Sequence, residues 1–181
     1  MADKPKWVLD TSTFTHLCRA GHEEVLAQLA PGGVVVIPDD VNSEIEKGRE
    51  SHPNIPSVSA VSWAELAVLT QAEVWTQLSV KAELGGGPTE HLGECAVIAC
   101  ALHRGYVAIL DERAAITQAD FRDVPSHDTL WIVVEAYKVL FGRDRTRAAQ
   151  IVDDLLATGM YLPIDNGEGL LAWAYREGLL P

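Results

Sequence analysis

The chain is poor in cysteine and in positive charge, and it has no long apolar run. Cys18, Cys95 and Cys100 are the only cysteines among 181 residues. So small and odd a number argues against a disulfide framework and for a reducing compartment, read here as the cytoplasm. No apolar stretch approaches the roughly 20 residues that span a bilayer, so no membrane association is expected. The start, Met1–Lys6, is polar and runs straight into a strand-like segment, with no signal peptide visible. Lys and Arg number 14 against 26 Asp and Glu, a net charge of −12, which by itself opposes binding to a polyanion. Two considerations soften that objection. Carboxylates gathered around divalent cations stop repelling phosphate once the cations are bound, and the few cations can still cluster, as at Arg143, Arg145 and Arg147. The acidic excess equally suits a basic protein partner. No G-x-G-x-x-G or P-loop pattern occurs, so a nucleotide cofactor is not indicated. There is no internal repeat, low-complexity tract or convincing linker.

What is present is an alternation of strand and helix. The segments 6–10 (KWVLD), 34–38 (VVVIP) and 106–110 (YVAIL) read as short buried strands. A strand or extended segment is expected over 58–63 and a last short strand near 123–127. Helices are expected over 12–19, 23–29, 39–47 (capped by Asp39 or Asp40 and ended by Gly48), 71–82, 89–103, 112–119, 129–141, 145–157 and 167–177. Continuous apolar strands separated by helices indicate a parallel sheet covered on both faces. The expectation is one three-layer α/β/α domain over residues 1–181, with 128–181 as extra C-terminal helices packed on it.

In open parallel sheets the functional crevice lies beyond the carboxyl ends of the strands. Asp10 and Asp111 each follow a strand directly, and Glu44 and Glu94 lie near the starts of helices at that edge. Each has a structural alternative. An Asp after a strand often caps the next helix, the helix dipole favours Glu94 in a first turn, and Glu44 alone reads as a solvated helix residue. Nothing structural requires carboxylates at all four places, however. A few carboxylates plus a substrate phosphate make a natural Mg²⁺ or Mn²⁺ site, and such ions drive phosphodiester displacement without a Cys or His nucleophile.

The segments V-L-D-T-S (8–12), V-V-I-P-D-D-V-N-S-E-I (35–45), L-G-E-C-A-V-I-A-C-A-L (92–102) and A-I-L-D-E-R-A-A (108–115) resemble PIN-domain proteins. They are similar to the VapC-like toxin branch, and the helical tail from Thr129 onward resembles the ending of one of its sub-branches. The order and spacing of these segments, rather than any single one, carry the resemblance. It implies a PIN-like fold and a ribonuclease that uses Mg²⁺ or Mn²⁺. The implied ligands are Asp10, Glu44, Glu94 and Asp111, supported by the hydroxyls of Thr11 or Ser12 and by Thr129. It also implies an RNA substrate and a neutralising antitoxin protein, and it allows a homodimer. Arg113, Arg143, Arg145 and Arg147 are the candidate phosphate contacts. The chain departs from the sub-branch at Val97, where a second Glu is common, at Asp128, where a Gly is common, and in the inserted loop Gly85–Gly87. Two alternatives remain open: a catalytically silent PIN-like binding module, and a PIN-like nuclease acting on DNA or structured RNA outside a toxin–antitoxin pair. His91 and His103 flank the Glu94 helix and can bind phosphate or metal, although solvated helix-end histidines are commoner. The cysteines and all five tryptophans read as core.

Overall fold

The computed structural model describes residues 4–181; the first three residues of the polar start lie outside it. Strands β1 (Trp7–Leu9), β2 (Val35–Pro38), β3 (Ala64–Ala67), β4 (Val107–Ile109) and β5 (Ser126–His127) form one sheet. All pair in parallel, in the order β3-β2-β1-β4-β5, with Val8 of the central strand opposite both Val36 and Ala108. Every residue of β1, β2 and β4 is buried, which is why these strands are unbroken apolar runs.

The helices are α1 (Thr11–Ala20), α2 (Glu24–Leu29), α3 (Asp39–Ser51), α4 (Gln71–Leu84), α5 (Leu92–Arg104), α6 (Arg113–Phe121), α7 (Thr129–Val139), α8 (Arg145–Ala157) and α9 (Leu170–Arg176). They flank the sheet to give the α/β/α architecture of a PIN-like fold. The three tail helices pack on one another, α8 against α1 and α7 against α2. Trp131 of α7 stacks on His127 at 3.8 Å and meets Trp7 edge-on at 5.2 Å, tying the tail to the sheet.

Several expectations need correction. The segment expected to be extended over 58–63 opens as a 3₁₀ turn, Val58–Ala60, and the strand follows it as β3. Helix α3 runs through Gly48 to Ser51, and neither Asp39 nor Asp40 caps it; both lie in its first turn. Helix α5 begins at Leu92, because His91 takes a left-handed conformation (φ 59°) that interrupts the turn before it. Trp75 is not core: it is 66% exposed on α4, beside the exposed Val74 and Leu78. The cysteines are buried as expected, and desolvation pushes the Cys18 and Cys95 thiols up to about 12, which leaves them protonated and inert.

The start of α4 carries a partly buried ion pair. Thr70 and Glu73 form a capping box, and Arg104 donates to both Glu73 oxygens, Nε to Oε1 at 2.6 Å and Nη2 to Oε2 at 3.0 Å. These bonds hold the Glu73 carboxyl down at about 2, below its ordinary 4.5. Because the folded value is the lower one, the stability this pair confers is complete above about pH 4.5 and is lost as pH falls towards 2. Denaturant midpoints measured from pH 5 to 2 should therefore fall less steeply in Glu73→Gln than in the parent.

Candidate metal centre

Strand order reverses direction between β1 and β4, and the crevice of an open parallel sheet lies at such a point, beyond the strand carboxyl ends. Asp10 leaves β1 there and Asp111 leaves β4. The two are joined directly: the Asp111 N–H donates to Asp10 Oδ2 at 3.0 Å. The other oxygen of Asp10 accepts from the Thr13 N–H at 2.8 Å, capping α1. Asp10 is therefore both a cap and a crevice carboxylate. Asp111 is not a cap of α6, whose N-cap position is Glu112. Its Oδ1 accepts from the Thr129 N–H at 2.9 Å and its Oδ2 from the Thr129 hydroxyl at 2.8 Å. The Thr13 hydroxyl lies 3.2 Å from the same oxygen. Asp128, where the sub-branch often has Gly, caps α7 through the Trp131 N–H at 2.7 Å and so fixes the Thr129 backbone that holds Asp111.

Glu44 and Glu94 form a second pair. Glu44 Oε1 accepts from the Gly93 N–H at 3.1 Å, and its Oε2 accepts from the Thr11 hydroxyl. A Cβ on Gly93 would lie 2.7 Å from Glu44 Oε2, so only glycine lets this carboxylate sit against the first turn of α5. Glu94 is half-buried beside it, and its pKa is raised by desolvation and then by the charges of Glu44 and Glu112. Asp10, 3% exposed, is raised well above the ordinary carboxyl range by burial and then by the charge of Asp111. Repulsion among crowded, desolvated carboxylates is the cost that a divalent cation offsets.

The four expected carboxylates thus reach one edge of the sheet as two pairs, Asp10–Asp111 and Glu44–Glu94. The residues whose donors come together among the described ones are a different set: His91, Glu94 and Glu112 offer ligand atoms all within 4.8 Å of one another. In the sequence Glu112 reads only as a helix start. Of the expected supporting hydroxyls, Thr11 holds Glu44 and Thr129 holds Asp111, while Thr13 takes the place expected for Ser12, whose side chain makes no hydrogen bond among the described residues. The all-oxygen set Asp10, Glu44, Glu94 and Asp111 fits Mg²⁺ or Mn²⁺.

A PIN-domain family model matches residues 6–173. The chain belongs to the PIN-domain family. PIN domains are in general metal-dependent nucleases, and the match covers every residue of the two carboxylate pairs. No curated protein matches the chain. In this PIN domain the expected arginines divide. Arg113 is exposed on the first residue of α6, two positions from Asp111. Arg143, Arg145 and Arg147 lie elsewhere. His22, past the end of α1, bonds Asp154 at 2.7 Å, and His16 bonds Thr158 at 2.6 Å, so α8 runs antiparallel to α1. The start of α8 therefore lies beyond the far end of α1, about 15 Å of helix from Asp10. There Arg147 stacks over Phe141 at 4.1 Å. These three arginines do not rim the crevice. Among the described residues, no helix is long and apolar enough to cross a membrane.

Proposed function

We propose that this PIN domain is a divalent-metal-dependent endoribonuclease, the toxin component of a toxin–antitoxin pair, with Asp10, Glu44, Glu94 and Asp111 holding Mg²⁺ or Mn²⁺. The observation that carries the reading is the Asp10–Asp111 contact at the sheet's reversal point, with Glu44 and Glu94 held alongside it. The bound ion supplies Lewis acidity and a hydroxide-like nucleophile. The chain's own groups do the positioning. Thr129 and Thr13 orient Asp111, and Thr11 and Gly93 orient Glu44. Among the described residues Glu94 has no donor other than its own backbone N–H, which leaves its oxygens available to ligate. The exposure of Arg113 on the first residue of α6, two positions from Asp111, supports a role in meeting a substrate phosphate.

RNA and the antitoxin come from the resemblance to VapC-like toxins. A flexible unpaired strand enters a sheet-edge crevice more readily than a duplex does, and sequence-specific RNA recognition usually targets unpaired bases. The net charge of −12 gives weak non-specific affinity, which favours a narrow substrate range. The exposed Val74, Trp75 and Leu78 of α4 support a protein partner, whether the antitoxin or a second copy in a homodimer.

The test is incubation of the purified chain with a mixed RNA pool and Mn²⁺, beside Glu94→Gln and beside a DNA pool. The parent is expected to cut RNA internally and the variant to leave it intact. Equal cleavage by both proteins would identify a contaminant. Cleavage of DNA alone would move the reading to a DNA nuclease, and cleavage of neither pool despite metal binding would move it to a binding module.

A further inference from the structure

His91, Glu94 and Glu112 come from three places: the end of the Gly85–His91 loop, the first turn of α5 and the residue before α6. Their ligand atoms lie within 4.8 Å of one another, and His91 Nδ1 is already 3.0 Å from Glu112 Oε2. A cation with bonds of about 2.0–2.2 Å holds its donors about 3–4 Å apart, so only a small closure is needed. An imidazole nitrogen among two carboxylates is a donor set that suits Zn²⁺ or a late transition ion. Mg²⁺, which takes oxygen ligands, gains nothing from it. The position of His91 follows from the inserted loop. Gly87 N–H donates to Glu90 Oε2 at 2.6 Å, the loop turns, and His91 enters α5 in a left-handed conformation with its ring towards Glu112.

We propose that His91, Glu94 and Glu112 form a site for a borderline transition cation such as Zn²⁺, distinct in donor chemistry from the all-carboxylate centre and sharing only Glu94 with it. The proposal rests on the metal-centre reading at Glu94 alone. Occupancy pins the end of the inserted loop to the start of α6, immediately beside Asp111.

The probe is Zn²⁺, titrated calorimetrically into the full chain in excess Mg²⁺, with the fold of each variant checked by metal-free melting. One equivalent is expected to bind the parent. His91→Ala and Glu112→Gln should each weaken that binding at least about tenfold. Asp10→Asn and Asp111→Asn should leave it within about threefold, and Glu94→Gln should weaken Zn²⁺ and Mg²⁺ together. Parent-like Zn²⁺ affinity in both His91→Ala and Glu112→Gln overturns the proposal. So does loss of Zn²⁺ in Asp10→Asn, which would put the ion in the carboxylate centre, or a thiolate charge-transfer band in Co²⁺-loaded protein. Binding is read without nucleic acid, so failure of the cleavage assay leaves this proposal standing, and failure here leaves the nuclease reading standing.

Discussion

Asp111→Asn is expected to make the metal-free protein more stable while reducing cleavage on the order of 100-fold or more through loss of a metal ligand. The hydrogen bonds around Asp111 suit an amide. The Asn oxygen can keep the Thr129 N–H, and its NH₂ can donate to the hydroxyls of Thr129 and Thr13, which rotate to accept. The Asp111 charge, which helps to raise Asp10, is removed. A gain of about 1 kcal/mol, or roughly 2–4 °C in Tm, is the expected scale. Asp10→Asn should behave differently. Both Asp10 oxygens accept from backbone N–H groups, so an amide NH₂ there must face a donor and leave a buried group unpaired, at about 1–3 kcal/mol. The pH dependence follows the same logic. The Asp10 carboxyl is raised in the folded state, so its contribution to the stability of the metal-free parent is present at low pH and is lost as pH rises above the ordinary carboxyl range. Asp111→Asn should flatten part of that slope, and burial should maintain the rest. Melting scans in EDTA across this range, with cleavage assays in Mn²⁺, check both halves. Equal Tm changes in the two Asn variants would contradict the donor argument.

Gly93→Ala should separate stability from activity. Its backbone is ordinary helix, where Ala is favoured over Gly by about 1 kcal/mol. The new Cβ would meet Glu44 Oε2 at 2.7 Å and Oε1 at 3.0 Å, atoms at the end of a movable side chain. Glu44 must swing away, giving up the Gly93 N–H and the Thr11 hydroxyl. Net stability should change by no more than about 1 kcal/mol. Cleavage and metal affinity should fall about 10–100-fold, as when a ligand loses its orienting partner. In a double-mutant cycle, adding Gly93→Ala to Glu44→Gln should cost little beyond Glu44→Gln alone. Fully additive losses would show that the glycine acts by another route.

The sequence made visible what burial enforces. Strands β1, β2 and β4 are covered on both faces and stand out as unbroken apolar runs. Strand β3, an edge strand reading Ala-Glu-Leu-Ala with only Ala67 buried, carries no such signal, so its position was misjudged. The arrival of the four carboxylates at one sheet edge is legible because strand ends and helix starts fix it topologically. The meeting of His91 with Glu112 is not, because it depends on the left-handed turn at His91, and no periodicity encodes that turn. Thr13 does not stand out in the sequence because the run Thr11-Ser12-Thr13 offers three hydroxyls. Which of them faces Asp111 is decided by burial across α1: Thr13 is fully buried and Ser12 is not.

The link between Asp10 and Asp111 spans 101 residues, and Thr129 holds Asp111 from 18 residues further on. During synthesis the first of these carboxylates is made early, but it has no neighbour until most of the chain has been translated. Contacts so distant in sequence form late, after the loop between them has closed. Whatever chemistry the crevice performs is therefore withheld from a nascent chain on the ribosome, and it arrives only when β4 and α7 have been added to the sheet.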